Sequence, residues 1–324
     1  MSRGEKIFYL LALAALAFAV LFPFTSPSGF WVRTFTFVFM AATLAQGWNF
    51  IGGYTGYASF GNVAFFGLGA YVTAILMAKA KFDFFPSMIA GGIFCALFAV
   101  LVGLPLLRLK GHYFAVATLG VSVAVREIVS GWDSLTGGGV GLNLPFNSDP
   151  NFFQFIYFVM LALAVLSAAV SFVLSRNKIG YGWIAIRENE QAANALGVNT
   201  TLYKTIAFGL TGFFVGLAGG TYAYYNTTIA PDFIFDISSY TANPILIAVL
   251  GGTGTVLGPI VGAFIFQILS SYLSFQFPGY QFVVLGFTMI LVIIFMPHGI
   301  LEYLTGRRTL GIASLLQAPR ENRA

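Results

Sequence analysis

Side chains able to do chemistry are few in this chain, and they lie far apart. His112 and His298 are widely separated, and the single cysteine, Cys95, sits inside an apolar run. That excludes an intrachain disulfide and argues against a His/Cys metal set. There is no G-x-S-x-G elbow, no H-E-x-x-H pair and no carboxylate pair at helical spacing within an apolar segment. Asp232 and Asp236 have i, i+4 spacing, but "APDFIFD" reads as an outer loop in which both are solvated. The run "LTGGGVGL" (135–142) has the glycines of a phosphate cradle without the Gly-Lys-Ser/Thr that completes one, and Lys204-Thr205 follows Tyr203 where that motif needs glycine. The chain is therefore expected to carry no nucleotide loop and no catalytic residues, and 135–142 to be a flexible turn, with an extracytoplasmic gate or docking surface as the sharper alternative. What remains is "IRENEQAANALGVNT" (186–200), the densest run of charge and amide in the sequence.

The elements that must position this run are set by composition. With 58% hydrophobic and 8% charged residues and a mean hydropathy of +0.85, the chain is an integral membrane protein. Its 36 Phe and 37 Gly suit helices packed closely in lipid. A helix needs about 20 apolar residues to cross the hydrocarbon core. That length predicts an all-α polytopic bundle of about ten spans (eight to ten), near 7–23, 31–50, 58–78, 86–107, 112–130, 152–174, 203–225, 241–253, 257–275 and 280–297. The Gly/Pro-rich "GGTGTVLGPIVG" (251–262) interrupts the eighth and ninth, leaving one broken helix, a re-entrant pair or two short spans. Arg3 and Lys6 flank the first run as in a signal peptide, but "LFPFTSPSG" offers no small-residue cleavage site, so this run reads as a retained helix.

Ten crossings with both termini cytoplasmic place twelve of the 16 basic residues inside and only Arg33, Lys79, Lys81 and Arg126 outside. This follows the positive-inside rule. The net charge of +5 is then explained by orientation, and no extended basic face suggests nucleic acid. All four tryptophans, Trp31, Trp48, Trp132 and Trp183, fall near predicted helix ends, where indoles anchor at the interface. The chain is read as one transmembrane domain over 1–324, with a cytoplasmic loop at 176–203 and a cytoplasmic tail at 298–324.

Charge is missing from the centres of these spans. Arg126 and Glu127 lie toward the outer end of the fifth, and the mid-span polar set is neutral: Gln46, Asn49, Asn62, Asn243 and Gln267. Each amide taken singly reads as interhelical glue; together they can line a pathway without fixed charge. A carrier driven by protons or ions needs a deep titratable group, and a membrane enzyme needs clustered His, Asp or Glu at one depth; neither is supplied. The stretches "FGNVAFFGLGAY" (60–71) and "LGPIVGAFIFQ" (257–267) are weakly alike, as repeated halves would be.

Ile186 to Leu196 reads as a helix of about three turns, roughly 16 Å long and too short to span. It ends at Gly197, suited to a left-handed cap. Ala192, Ala195 and Leu196 share a face with Glu188 one turn earlier, while Arg187, Glu190 and Gln191 point elsewhere. A small-residue face flanked by charge suits close docking into another protein; an alanine face buries too little area to hold lipid.

"RENEQAANALGVN" resembles the cytoplasmic coupling segment of ABC importer permeases, the "EAA" loop, with Ala192, Ala193 and Gly197 as its core. It departs from the classical pattern at Gln191, with Glu190 one residue earlier. With "GYTGYASFGNVAFFGLGAY" (53–71), "GHYFAVATLG" (111–120), "LTGGGVGL" and "GGTGTVLGPIVGA" in the same order, nearly the whole chain after the first span resembles the branched-chain (hydrophobic) amino acid permeases, M-type. The resemblance implies the ABC importer permease fold in a bacterial cytoplasmic (inner) membrane. It implies a second permease subunit (H-type), two cytoplasmic ATPases that bind the ATP and Mg this chain does not, and a periplasmic binding protein delivering leucine, isoleucine or valine. It assigns Arg187, Glu188, Glu190, Ala192, Ala193 and Gly197 to coupling. An importer of urea, short amides or another amino acid is the alternative within the family, and a secondary transporter the one outside it.

Overall fold

The computed structural model describes residues 16–25, 28–145 and 149–276, with short pieces at 14, 283, 286–287, 290 and 299–301. Most of the predicted tenth span, nearly all of the 298–324 tail and most of the start of the first span lie outside the described residues. The described residues are mostly helical. α1 (Gly29–Trp48) runs into a π-turn (Asn49–Gly53); α2 (Asn62–Ala78), α3 (Phe84–Leu106), α4 (His112–Gly131) and α5 (Phe152–Ser175) follow. Then come α6 (Lys178–Ala195), α7 (Thr200–Asn226), a π-turn (Ser238–Ala242) leading into α8 (Asn243–Gly251), and α9 (Gly258–Gln276). A two-residue ribbon pairs β1 (Leu142–Asn143) antiparallel with β2 (Thr228–Ile229), Leu142 opposite Ile229.

Ten spans are not reached among the described residues. Five helical stretches there are long and apolar enough to cross a membrane: α3, α4, α5, α7 and Pro231–Gly251. The short eighth span predicted at 241–253 gains length from upstream, because the π-turn joins α8 to residues from Ile237 onward. Asp236 starts that stretch: its side chain accepts from the Ser239 amide at 2.9 Å. It therefore caps a helix, where a solvated loop carboxylate was expected.

α7 is the central post, with 78% of its apolar window buried, whereas α3 and α4 reach only 28% and lie at the periphery. Glycine lets the neighbours of α7 approach it at backbone distance. A Cβ on Gly69 of α2 would stand 2.2 Å from the Gly216 carbonyl oxygen, and one on Gly219 would stand 2.1 Å from that of Phe66. Where small residues bring backbones together, dispersion replaces the hydrophobic drive that lipid does not supply. Aromatic rings fill the remaining space: Phe66 stacks on Tyr240, and Phe50 lies between Trp183 and Phe214.

Two of the four tryptophans depart from the interfacial reading. Trp31 and Trp132 are exposed. Trp48 and Trp183 are buried, and each indole N–H is held at 2.8 Å by a carbonyl, of Ser59 and of Tyr203. A helix end buried under a neighbouring loop looks, in sequence, like one at a membrane surface. Cys95 is fully buried, its thiol directed at the Phe65 carbonyl.

Long-range bonds sort the loops into two ends. At one, Arg187 meets Gly53, Lys204 meets Leu107 and Asn49 meets Gly254. At the other, Lys79 meets Ser134, Arg126 meets Asp232 and β1 meets β2.

Candidate functional site

The run 186–200 lies at the first end, built by α6 and the start of α7. α6 is longer than the helix predicted from Ile186, because Gly180 and Gly182 fit it against Ser175 and the ring of Tyr203, and Trp183 anchors it in the core. It is also broken, at Asn189, whose backbone is extended (φ −159°, ψ 105°). The Asn189 side chain accepts from the Ala192 amide at 3.0 Å, capping a new helical turn that starts after it. That turn closes as predicted at Gly197, where φ is +86°. The Val198 amide reaches back to Ala193 O at 3.0 Å. Asn199 then caps α7 by accepting from Leu202 N.

On both sides of the break the candidate groups fall into an inward and an outward set. Before it, Arg187 donates to Gly53 O at 2.8 Å, in the π-turn after α1. After it, Glu190 turns inward: Oε1 is 2.7 Å from Lys204 Nζ, and Oε2 accepts from the Tyr57 hydroxyl. Lys204, in the first turn of α7, is only 3% exposed and also donates to Leu107 O at 2.8 Å and contacts Tyr57 Oη at 3.2 Å. Its ammonium lies 4.5 Å from the Tyr57 ring centroid. Ala193 is buried as well. Exposed are Glu188, Ala192, Ala195, Gly197 and Leu196, the last at 86%.

Burial alone would raise the Glu190 carboxyl, but hydrogen bonds from Lys204 and Tyr57 and the charges of Lys204 and Lys110 outweigh it and hold the group below its usual range. The Tyr57 hydroxyl is pushed up, first by burial, then by its bond to Glu190 and that residue's charge. The site is thus a carboxylate held in its charged form by a buried lysine and a tyrosine, beneath a small exposed face.

Residues 30–293 match the family model described as the permease component of the branched-chain amino acid transport system. The chain belongs to that permease family. It is 31% identical to the high-affinity branched-chain amino acid transport system permease protein LivM of Salmonella typhimurium, over 90% of this chain and 74% of that protein, and equally so to LivM of Escherichia coli. It is 26% identical to LivH of Salmonella typhimurium, over 80% of this chain and 90% of that one. No solved structure matches the chain.

The permease does not gather its mid-span amides at one point. Asn49 clips the π-turn after α1 to the loop before α9, donating to Thr255 O at 2.9 Å and accepting from Gly254 N at 2.8 Å. Asn62 starts α2, with Nδ2 at 3.4 Å from Leu44 O and its Oδ1 buried without a partner among the described residues. Gln46 is fully buried, and neither end of its amide has a partner among the described residues. Asn243 and Gln267 are half-buried on α8 and α9. A cavity of about 10 Å³ beside Phe65, Phe98 and Phe208 is apolar and holds at most one water, too small for an amino acid.

Two groups escaped the sequence reading. The sequence places Lys204 only among the cytoplasmic basic residues and gives Tyr57 no role. A lysine immediately before a long apolar run was the available signal, but its carboxylate partner stands 14 residues earlier, beyond any helical spacing. The glycine-rich outer run 135–142 passes from a short helical turn through a 3-10 turn (Gly138–Val140) into β1. Gly141, at φ +82°, lies so close to the β2 segment that a Cβ there would stand 1.8 Å from Ile229 O. Asp232 is exposed, as expected, and in addition lies 2.6 Å from Arg126.

Proposed function

We propose that the chain is a transmembrane permease subunit of an ATP-driven ABC importer for the branched-chain amino acids leucine, isoleucine and valine. The family match over residues 30–293 carries this reading. A second, H-type permease subunit pairs with it around the pathway, which fits an interior packed with aromatic rings. Two cytoplasmic ATPase subunits bind the ATP and Mg, and a periplasmic binding protein supplies the substrate. The protein crosses the bacterial inner membrane several times, with both termini and the 176–203 loop in the cytoplasm, and the chain itself performs no catalysis.

Coupling runs through 187–197. The outward set, Glu188, Ala192 and Gly197, faces the ATPase, joined by Leu196; the inward set, Arg187, Glu190 and Ala193, ties the segment to the bundle. An exposed leucine on a face of alanines suits a shallow groove on a partner. ATP-driven closure of the ATPases pushes this face, and α5 and α7, which flank it, rock to expose the pathway to alternate sides.

The test is radiolabelled leucine uptake in cells holding all subunits, with membrane expression matched. Ala192→Arg and Leu196→Asp leave the buried contacts alone and are expected to abolish uptake. Wild-type uptake in both would remove the coupling role. Competition by unlabelled isoleucine and valine, and none by urea or short amides, separates the substrate classes.

A further inference from the structure

The coupling turn is bounded by two swivels. Upstream, the extended backbone at Asn189 interrupts α6. Downstream, Gly197 at φ +86° reverses the chain before α7 begins. A segment of this length between two such points would act as a flap, and a push on Ala192 or Leu196 would be absorbed by rotation. Contacts to three separate parts of the fold stand against this. Lys204 Nζ reaches Glu190 at 2.7 Å, Leu107 O at 2.8 Å and Tyr57 Oη at 3.2 Å, so the three ammonium hydrogens face three oxygens. Tyr57 in turn donates to the second oxygen of Glu190. The carboxylate is thereby joined to the first turn of α7, to the end of α3 and to the loop between α1 and α2.

We propose that Glu190, Lys204 and Tyr57 form a clamp that makes the 190–197 turn a rigid lever, so that its displacement is delivered to α7, α3 and the α1–α2 loop and not lost at Asn189. The clamp rests on the coupling role proposed above. It assigns positioning roles to Lys204 and Tyr57, which touch neither substrate nor nucleotide. Arg187, bonded to Gly53 on the other side of the break, holds the stationary part of α6.

The experiment reconstitutes the chain with its second permease, ATPases and binding protein in proteoliposomes and measures leucine uptake and ATP hydrolysis on the same preparation. In Lys204→Met and Glu190→Ala, uptake per ATP hydrolysed is expected to fall roughly fivefold or more, the scale of a coupling free energy between two sites. Tyr57→Phe removes one hydroxyl and is expected to lower the ratio less. If Lys204→Met or Glu190→Ala does not assemble, Tyr57→Phe carries the test, since it keeps the Lys204–Glu190 ion pair and removes only one hydroxyl. A ratio equal to wild type in the variants that assemble, or uptake and hydrolysis falling in equal proportion, overturns the clamp. Ala192→Arg run in parallel separates the two ideas: if it uncouples while Glu190→Ala does not, the clamp fails and the coupling role stands. If Ala192→Arg leaves the ratio unchanged, the coupling role itself fails.

Discussion

At the scale of single residues, two buried amides three positions apart have opposite consequences. Asn49 uses both ends of its side chain to join α1 to the loop before α9, while Gln46 uses neither. Removing Asn49 leaves a partly buried N–H of Gly254 and C=O of Thr255 unmet, so Asn49→Ala is expected to destabilise by about 1–2 kcal/mol. Gln46→Leu removes a desolvated amide that gains nothing in this conformation, and is expected to leave stability unchanged or raise it. Thermal unfolding of the detergent-purified protein distinguishes the two, and equal losses would mean that Gln46 has a partner from another chain. The Glu190 carboxyl carries a pH prediction. Facing it are Lys204, Tyr57 and Lys110, and its pKa lies below the ordinary 4.5. A depressed carboxylate contributes stability that is complete above the ordinary value and lost as pH falls through the lower, folded one. Between pH 6 and 8 the contribution of Glu190 to thermal stability should therefore be complete and constant, and the difference between wild type and Glu190→Ala should shrink only below that carboxylate range. Sequence placed Glu190 and Lys204 in one cytoplasmic loop region, but pairing across 14 residues depends on where the chain turns, and the turn depends on a break at Asn189 that no propensity announces.

Elements were more legible than residues, and the reasons differ by element. Long apolar runs fixed α3, α4, α5 and α7 to within a few residues, because crossing length and hydropathy act on the whole segment at once. α6 was read too short at its start, since glycines in "KIGYGW" resemble a loop until the ring of Tyr203 and the end of α5 are seen packed against them. The same residue type has opposite meanings on different helices. Gly219 meets a backbone oxygen of α2, whereas a Cβ on Gly120 of α4 would meet nothing within 4 Å. Gly219→Val must push α2 away from α7, and overpacking of this kind costs about 1–3 kcal/mol or more. The expected outcome is loss of the monodisperse peak in fluorescence-detected size-exclusion chromatography, with Gly120→Val eluting as wild type. Equal profiles would mean that the α2–α7 contact adapts.

At the scale of the whole molecule, the two ends differ in charge in the way a membrane potential and insertion machinery would read. The end carrying the 190–197 turn holds Arg108, Lys110, Arg176, Lys178, Arg187 and Lys204 against Glu188 and Glu190; the opposite end holds Asp83, Glu127, Asp133, Asp149, Asp232 and Asp236 against Arg33, Lys79, Lys81 and Arg126. Sequence separated these sets by counting crossings, and long-range bonds in the fold group the same loops together without reference to a membrane. The two routes agree because alternation of loops between ends is a property of short connections between spans. The excess of Lys and Arg at the first of these ends predicts that it faces the cytoplasm. Two exposed sites turn this into a measurement. Val140, 88% exposed, lies on the glycine-rich turn, and Leu196, 86% exposed, lies on the coupling turn. Cys95 is fully buried, so it can stay in place as single cysteines are introduced. A membrane-impermeant maleimide added to spheroplasts should label Val140→Cys at once and Leu196→Cys only after permeabilisation. The reverse pattern would put the coupling turn outside the cell, where no ATPase can reach it, and would end the ATP-driven reading along with the orientation.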